Sequence, residues 1–189
     1  MSIHISQTRL ADATSLRECI DSVSRETSFL ASNEAPSQQA LERSLRKCLE
    51  SDSVHLVGLD GSRVVAWAQI ERGDGTSVAH RGDLGMGVLP SYRGCGLGKS
   101  LLDQCIRAAH ARGITRVELE VRTDNRRALE LYRASGFAVE AIVKKAMKVD
   151  GIHHDAFRMS LTTEPAHTRF ASEAGAGAVP HLFNQESPK

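Results

Sequence analysis

One strand–turn–helix–strand unit constrains this chain more than anything else in it. Leu84, Met86 and Val88 alternate with Asp83, Gly85 and Gly87, the pattern of a strand with one apolar face. Pro90 lacks the amide that a central strand needs, so pairing must stop just before it. Gly94, Gly96 and Gly98 crowd the following turn, where the backbone can bend sharply and approach a ligand with no Cβ in the way. Behind the turn, Leu97, Leu101, Leu102, Cys105, Ile106 and Ala109 recur at helical spacing, predicting a helix over 98–112. Gly113 stands where a C-terminal cap belongs. Val117, Leu119 and Val121 form the next strand. Such a crossover closes right-handed and makes this part of the sheet parallel.

The first N–H groups of a helix have no partner inside it, and the helix dipole favours an anion in front of them. Residues Arg93 to Lys99 therefore read as a cradle for phosphate or pyrophosphate. Two familiar cradles do not fit. A P-loop would open on Gly at the position held by Arg93, and the dinucleotide fingerprint needs Gly where Lys99 stands. A bare glycine-rich turn with no ligand is the plainer reading of the same residues.

A third pattern fits. Arg93-x-x-Gly96-x-Gly98 resembles the pyrophosphate loop of the GNAT superfamily, the acyl-CoA-dependent N-acetyltransferases. Downstream, Asn125, the run Ala128-Leu129-Glu130-Leu131-Tyr132, and Gly136-Phe137 resemble that family's second cofactor segment. The resemblance covers residues 3 to 162. Its last part, with Lys144-Lys145, Asp150-Gly151 and Asp155, looks most like bacterial amino-acid N-acyltransferase-like members. It implies a GNAT-like acyl-CoA N-acyltransferase fold, acetyl-CoA as co-substrate and no metal. It also implies direct attack of an amine on the thioester, which leaves Cys95 no work as a nucleophile.

The resemblance implies further that Met86, Gly87 and Val88 pair with the pantetheine arm and offer a backbone N–H to the thioester oxygen. Gly85 and Gly87 would ease a bulge there, or serve only close packing. Arg93, Gly94, Cys95, Gly96, Leu97, Gly98 and Lys99 would hold the pyrophosphate, with the Arg93 or Lys99 side chain adding charge. A solvated helix lysine is the plainer Lys99. Asn125 would bond the pantetheine amides, or simply cap its helix. Tyr132 matches the position whose phenol lies near the cofactor sulfur and is the candidate general acid; packing beside Leu129 and Leu131 is its plainer role.

An amine must lose a proton before it attacks. Glu118 is the first candidate base, because it shares with Glu120 one face of a strand expected to be central, where an unpaired carboxylate is expensive. Asp83, His80 and solvent are its rivals. Glu26, Phe29 and Leu30 are expected to wall the acceptor site, with His153 to Asp155 completing it. Glu26 and Glu34 would suit a cationic amine, or be ordinary surface charge. The acceptor is expected to be a primary amine of a small molecule, an amino acid or a relative of one. A protein amino group is the nearest alternative, and a catalytically silent CoA-binding sensor module is the alternative of another class.

Composition sets the outer bounds. A chain of 189 residues with 41% apolar content suffices for one domain with a real core. A formal charge of +1 argues against nucleic acid as an obligatory partner. Residues 1–10 carry no long apolar run and no basic leader, so neither a signal peptide nor a membrane span or membrane partner is expected. Cys19, Cys48, Cys95 and Cys105 show no CxxC spacing and suit a reducing cytoplasm. A homodimer is compatible with this reading.

The rest of the chain supplies strands at Ile3–Ile5, 54–59, 63–71, 137–149 and 154–161. Asp60-Gly61 and Asp150-Gly151 are the hairpin signals. Helices are expected over 11–25, with Asp12 as N-cap, over 37–50, and from Asp124 or Asn125 to Ser135. The order is that of an α/β fold: a mixed central sheet with helices on both faces, in one domain over 1–162. Beyond it, 163–189 loses periodicity and reads as a tail, mobile or pinned by Phe170 or Leu182-Phe183.

Overall fold

The computed structural model describes residues 3–27, 29 and 34–163. Its strands are β1 (Ile3–Gln7), β2 (Val54–Asp60), β3 (Arg63–Arg72), β4 (Arg81–Val88), β5 (Arg116–Arg122), β6 (Ala138–Val149) and β7 (Ile152–Thr162). They form one sheet in the order β1-β2-β3-β4-β5-β7-β6. All neighbours are antiparallel except β4 and β5, which the crossover helix makes parallel. β7 inserts between β5 and β6. The hairpin joining them turns through Asp150 at φ 48° and Gly151 at φ 82°, the positive φ pair that a two-residue turn demands.

The helices are α1 (Ala13–Thr27), α2 (Gln38–Glu50), α3 (Leu97–Ala111) and α4 (Arg126–Ala134). Strand parity assigns their faces. A Cβ on Gly58 would lie 3.5 Å from Leu97, and one on Gly98 would lie 3.6 Å from Val88 and 3.9 Å from Met86. The face holding Ala66, Ala68, Met86 and Val88 is therefore covered by α3. The opposite face, with Val65 and Trp67, packs under α1, whose Leu16, Cys19 and Val23 are buried. Both faces of β3 are thus dry, which is why it reads as a near-continuous apolar run.

Two local expectations give way. Asp12 does not cap α1; it ends a 3-10 turn (Leu10–Asp12), and its carboxylate accepts from the Arg9 amide at 2.8 Å and the Arg9 guanidinium at 2.9 Å. Nor does β4 bulge at its glycines, since its register with β3 is unbroken from Val88↔Ala66 to Gly82↔Arg72. Gly87 is there for packing: the Trp67 ring lies where its Cβ would be. The expected tail lies outside the described residues apart from Thr163, whose amide donates to the Thr115 carbonyl at 2.8 Å.

Candidate active site

β4 and β5 stay together only briefly. They pair at Arg81↔Arg116, Gly82↔Val117 and Asp83↔Glu118, and then part. From Leu84 to Val88, β4 keeps β3 on one side and, among the described residues, has no strand on the other; Leu119 to Arg122 keep β7 and lack β4. The result is a fork whose inner edges carry peptide groups left to whatever enters it.

A charge network holds the closed end. Arg81 donates to Glu118 at 2.6 Å, and Arg116 binds both Glu118 and Glu140. Glu140 also accepts from the Ser160 hydroxyl at 2.6 Å. Burial alone would raise Glu118, but the two guanidiniums outweigh it and hold the carboxyl below its ordinary value. That makes Glu118 a poor proton acceptor. It fastens the strands together at the point where the fork begins.

The glycine turn closes the open end on the α3 face. Gly94 and Gly96 sit at φ 82° and 84°, which a side chain would strain. Among the described residues, no group accepts a hydrogen bond from the amides of residues 94–99. Nothing lies within 4 Å of where a Cβ on Gly96 would point. Gly98 brings the pieces together, since Met86, Val88 and, from α4, Leu131 at 3.7 Å all converge on it.

The two expected cations of the turn are engaged elsewhere. The Lys99 ammonium binds both oxygens of Asp103, at 2.6 and 2.5 Å. The Arg93 Nε donates to the Val88 carbonyl at 2.8 Å, and its other two nitrogens donate to Glu26 at 2.9 and 2.7 Å. Glu26 is consequently not a free carboxylate awaiting an amine. The Cys95 thiol is exposed and donates to the Tyr92 carbonyl at 3.1 Å. Arg127 is a cation that sequence reasoning missed: its guanidinium lies 3.9 Å from the Cβ position of Gly94, and no described residue pairs with it.

Asn125 caps α4, its side-chain oxygen accepting from the Ala128 amide at 3.2 Å. Tyr132, two residues before the end of that helix, is 9% exposed and packs against Phe137 with ring centroids 5.7 Å apart. Its hydroxyl bonds to no described residue, and burial pushes its pKa up to about 12. The phenol therefore keeps its proton through the neutral range.

On the α1 face, alternation lines up Arg116, Glu118, Glu120 and Arg122 along β5. Glu120 lies in the splayed segment and accepts from Arg158 at 2.7 Å. A cavity of about 340 Å³ is lined by Arg81, Asp83, Glu118, Glu120 and Arg158. Asp83 is exposed there, whereas His80 stands exposed before β4 at the closed end. Arg122 is buried at the outer end of β5; it donates to Asp124 at 2.6 Å and lies under the Phe29 ring, 4.7 Å from its centroid. His154 comes within 3.8 Å of Asp124, and Asp155 accepts from Lys144 at 2.8 Å. Glu34 is 4.0 Å from Arg25. Leu30 lies outside the described residues. Strand alternation alone could have found Arg116 and Arg122; Arg158 and Glu140 reach the site through long-range pairing that no short motif reveals.

Comparison with known proteins agrees with this geometry. The model of the acetyltransferase (GNAT) family matches residues 18–137. N-alpha-acetyltransferase RimI of Mycobacterium tuberculosis is 38% identical over 112 residues, 59% of this chain and 68% of that protein. Mycothiol acetyltransferase of Beutenbergia cavernae is 46% identical over 57 residues, 30% of this chain; the match spans only 19% of that longer protein. The GNAT-family acetyltransferase of Streptococcus pneumoniae superposes with a TM-score of 0.81 at 28% identity, over 85% of this chain and 99% of that one. No helix among the described residues is long and apolar enough to cross a membrane.

Proposed function

This chain belongs to the acetyltransferase (GNAT) family, and we propose that it transfers the acetyl group of acetyl-CoA to the primary amine of a small molecule held in the fork. The observation that carries this reading is the run of acceptorless amides at 94–99 around an open turn. A diphosphate satisfies such a cradle through N–H groups alone, so the engagement of Arg93 and Lys99 elsewhere does not count against it. Arg127 would add charge at its rim.

The remaining roles follow the fork. The strand-free edge of Met86 to Val88, whose Val88 carbonyl Arg93 holds, would receive the pantetheine arm and donate an N–H as negative charge grows on the thioester oxygen; one such donor contributes about 3 kcal/mol. Glu120, in the splayed segment and facing the cavity, replaces Glu118 as the base that takes the amine's proton. Tyr132 would return a proton to the departing thiolate, a step for which a neutral phenol is suited. Asn125 keeps its side-chain nitrogen for a cofactor carbonyl while its oxygen caps α4.

A cavity of about 340 Å³ suits an amino-acid-sized acceptor. A second reading, the N-terminal amine of a protein, draws support from the likeness to an N-alpha-acetyltransferase, because a terminal residue could fill the same cavity. Measuring CoA release with alanine, alanine amide and an alanine-initiated peptide separates the two. Turnover of the small amines alone supports the first reading, and turnover of the peptide alone selects the second. Tight acetyl-CoA binding without release on any amine would point to a sensor instead.

A further inference from the structure

Building on the reading that acetyl-CoA fills the cradle, we propose that the Glu26–Arg93 ion pair couples that cradle to the acceptor side, which makes Glu26 a positioning residue. Glu26 is the penultimate residue of α1, the helix on the sheet face opposite α3. Arg93 opens the glycine turn on the other side of the fork. Its guanidinium is bidentate to Glu26 and also holds the carbonyl of Val88, the last residue of the free β4 edge. Two parallel charge-assisted bonds fix direction as well as distance. At 21% and 33% exposure the two side chains are partly shielded from solvent.

A second contact makes the coupling two-handed. Phe29, two residues beyond α1, lies over Arg122 at the outer end of β5, and Arg122 is braced by Asp124. The end of α1 is thereby tied to the open ends of both strands of the fork. Ligand in the cradle fixes the backbone at Arg93, and through Arg93 it fixes Glu26. Reciprocity then requires the acceptor to tighten acetyl-CoA by the same factor by which acetyl-CoA tightens the acceptor, and loosening Glu26 removes that mutual gain while leaving acetyl-CoA binding in the absence of acceptor nearly unchanged.

Hydrogen exchange with and without millimolar acetyl-CoA tests this in wild type, Glu26→Gln and Glu26→Asp. In wild type, acetyl-CoA is expected to slow exchange both at 93–99 and in the last turn of α1. Glu26→Gln should keep the first protection and lose the second, while Glu26→Asp, which retains the charge, recovers part of it. With alanine amide or the alanine-initiated peptide as acceptor, Glu26→Gln should raise KM about fivefold or more with acetyl-CoA Kd within twofold of wild type. Equal protection of α1 in wild type and Glu26→Gln, or loss of protection at both places in the variant, overturns the coupling. Absence of protection at 93–99 in wild type overturns the acetyl-CoA reading itself, and the coupling with it.

Discussion

The two ends of the β4–β5 fork are built from the same strands and do opposite things. At the closed end, the strands share a ladder, and Glu118 is gripped by Arg81 and Arg116. At the open end, among the described residues, the β4–β5 ladder stops at Asp83, the edge of Leu84 to Val88 away from β3 has no strand beside it, and the amides of 94–99 have no acceptor. The amides of 97–99 open a helix and those of 94–96 face solvent, so all six are open to water or to an anion. In the proposed function, side-chain charge fastens the closed end, and backbone without a neighbouring strand makes the open end the place for the cofactor. The carboxylate that looks most reactive in sequence, Glu118, belongs to the closed end.

Perturbing each end in turn should separate the two. The largest effect is expected at the open end: Tyr132→Phe should lower kcat by about 10²–10⁴ and leave acetyl-CoA affinity nearly unchanged, as steady-state kinetics beside calorimetry would show. A comparable loss of affinity would reduce Tyr132 to a packing residue. Gly96→Val comes next. It forces a branched side chain into a left-handed backbone and projects a Cβ into the cradle, so acetyl-CoA Kd should rise at least about tenfold. Unfolding should move by no more than about 1–2 kcal/mol, the strain of one such residue.

At the closed end the signature reverses. Glu118→Gln weakens bonds to two guanidiniums and should cost about 1.5–3 kcal/mol in urea unfolding, with kcat within a few-fold of wild type. Glu120→Gln should do the opposite, lowering kcat/KM and sparing stability. If Glu118→Gln alone abolished turnover, the division between the ends would fail. The smallest effect is on acid stability. Glu118 is held below its ordinary value near 4.5, so its contribution is complete above that pH and is lost as pH falls through the depressed value. Wild type should therefore lose its advantage over Glu118→Gln in urea midpoints taken at successively lower pH below 4.5.

How far the sequence could reach follows from the range of each signal. The crossover unit was legible because alternation, Pro90 and the three glycines are all local, and α3 and β5 fall within a residue of their expected limits. The GNAT fold was legible for the same reason. The partners of charged groups were not. Nothing near Arg93 in the chain announces Glu26, 67 residues earlier, and nothing near Glu118 announces Arg81 or, through Arg116, Glu140. Motif reasoning assigns Arg93 and Lys99 to phosphate by type, whereas the fold gives both side chains to carboxylates. Gly87 is a similar case: its cause is the Trp67 ring on the neighbouring strand, which no local pattern reveals.

Amide NMR during an acetyl-CoA titration examines the cradle most directly. The account predicts that the backbone N–H resonances of residues 94–99 move furthest, and downfield, as they acquire anionic acceptors, with those of Arg81 to Asp83 nearly still. Saturable binding that left 94–99 unmoved, or shifts centred on the closed end, would contradict it.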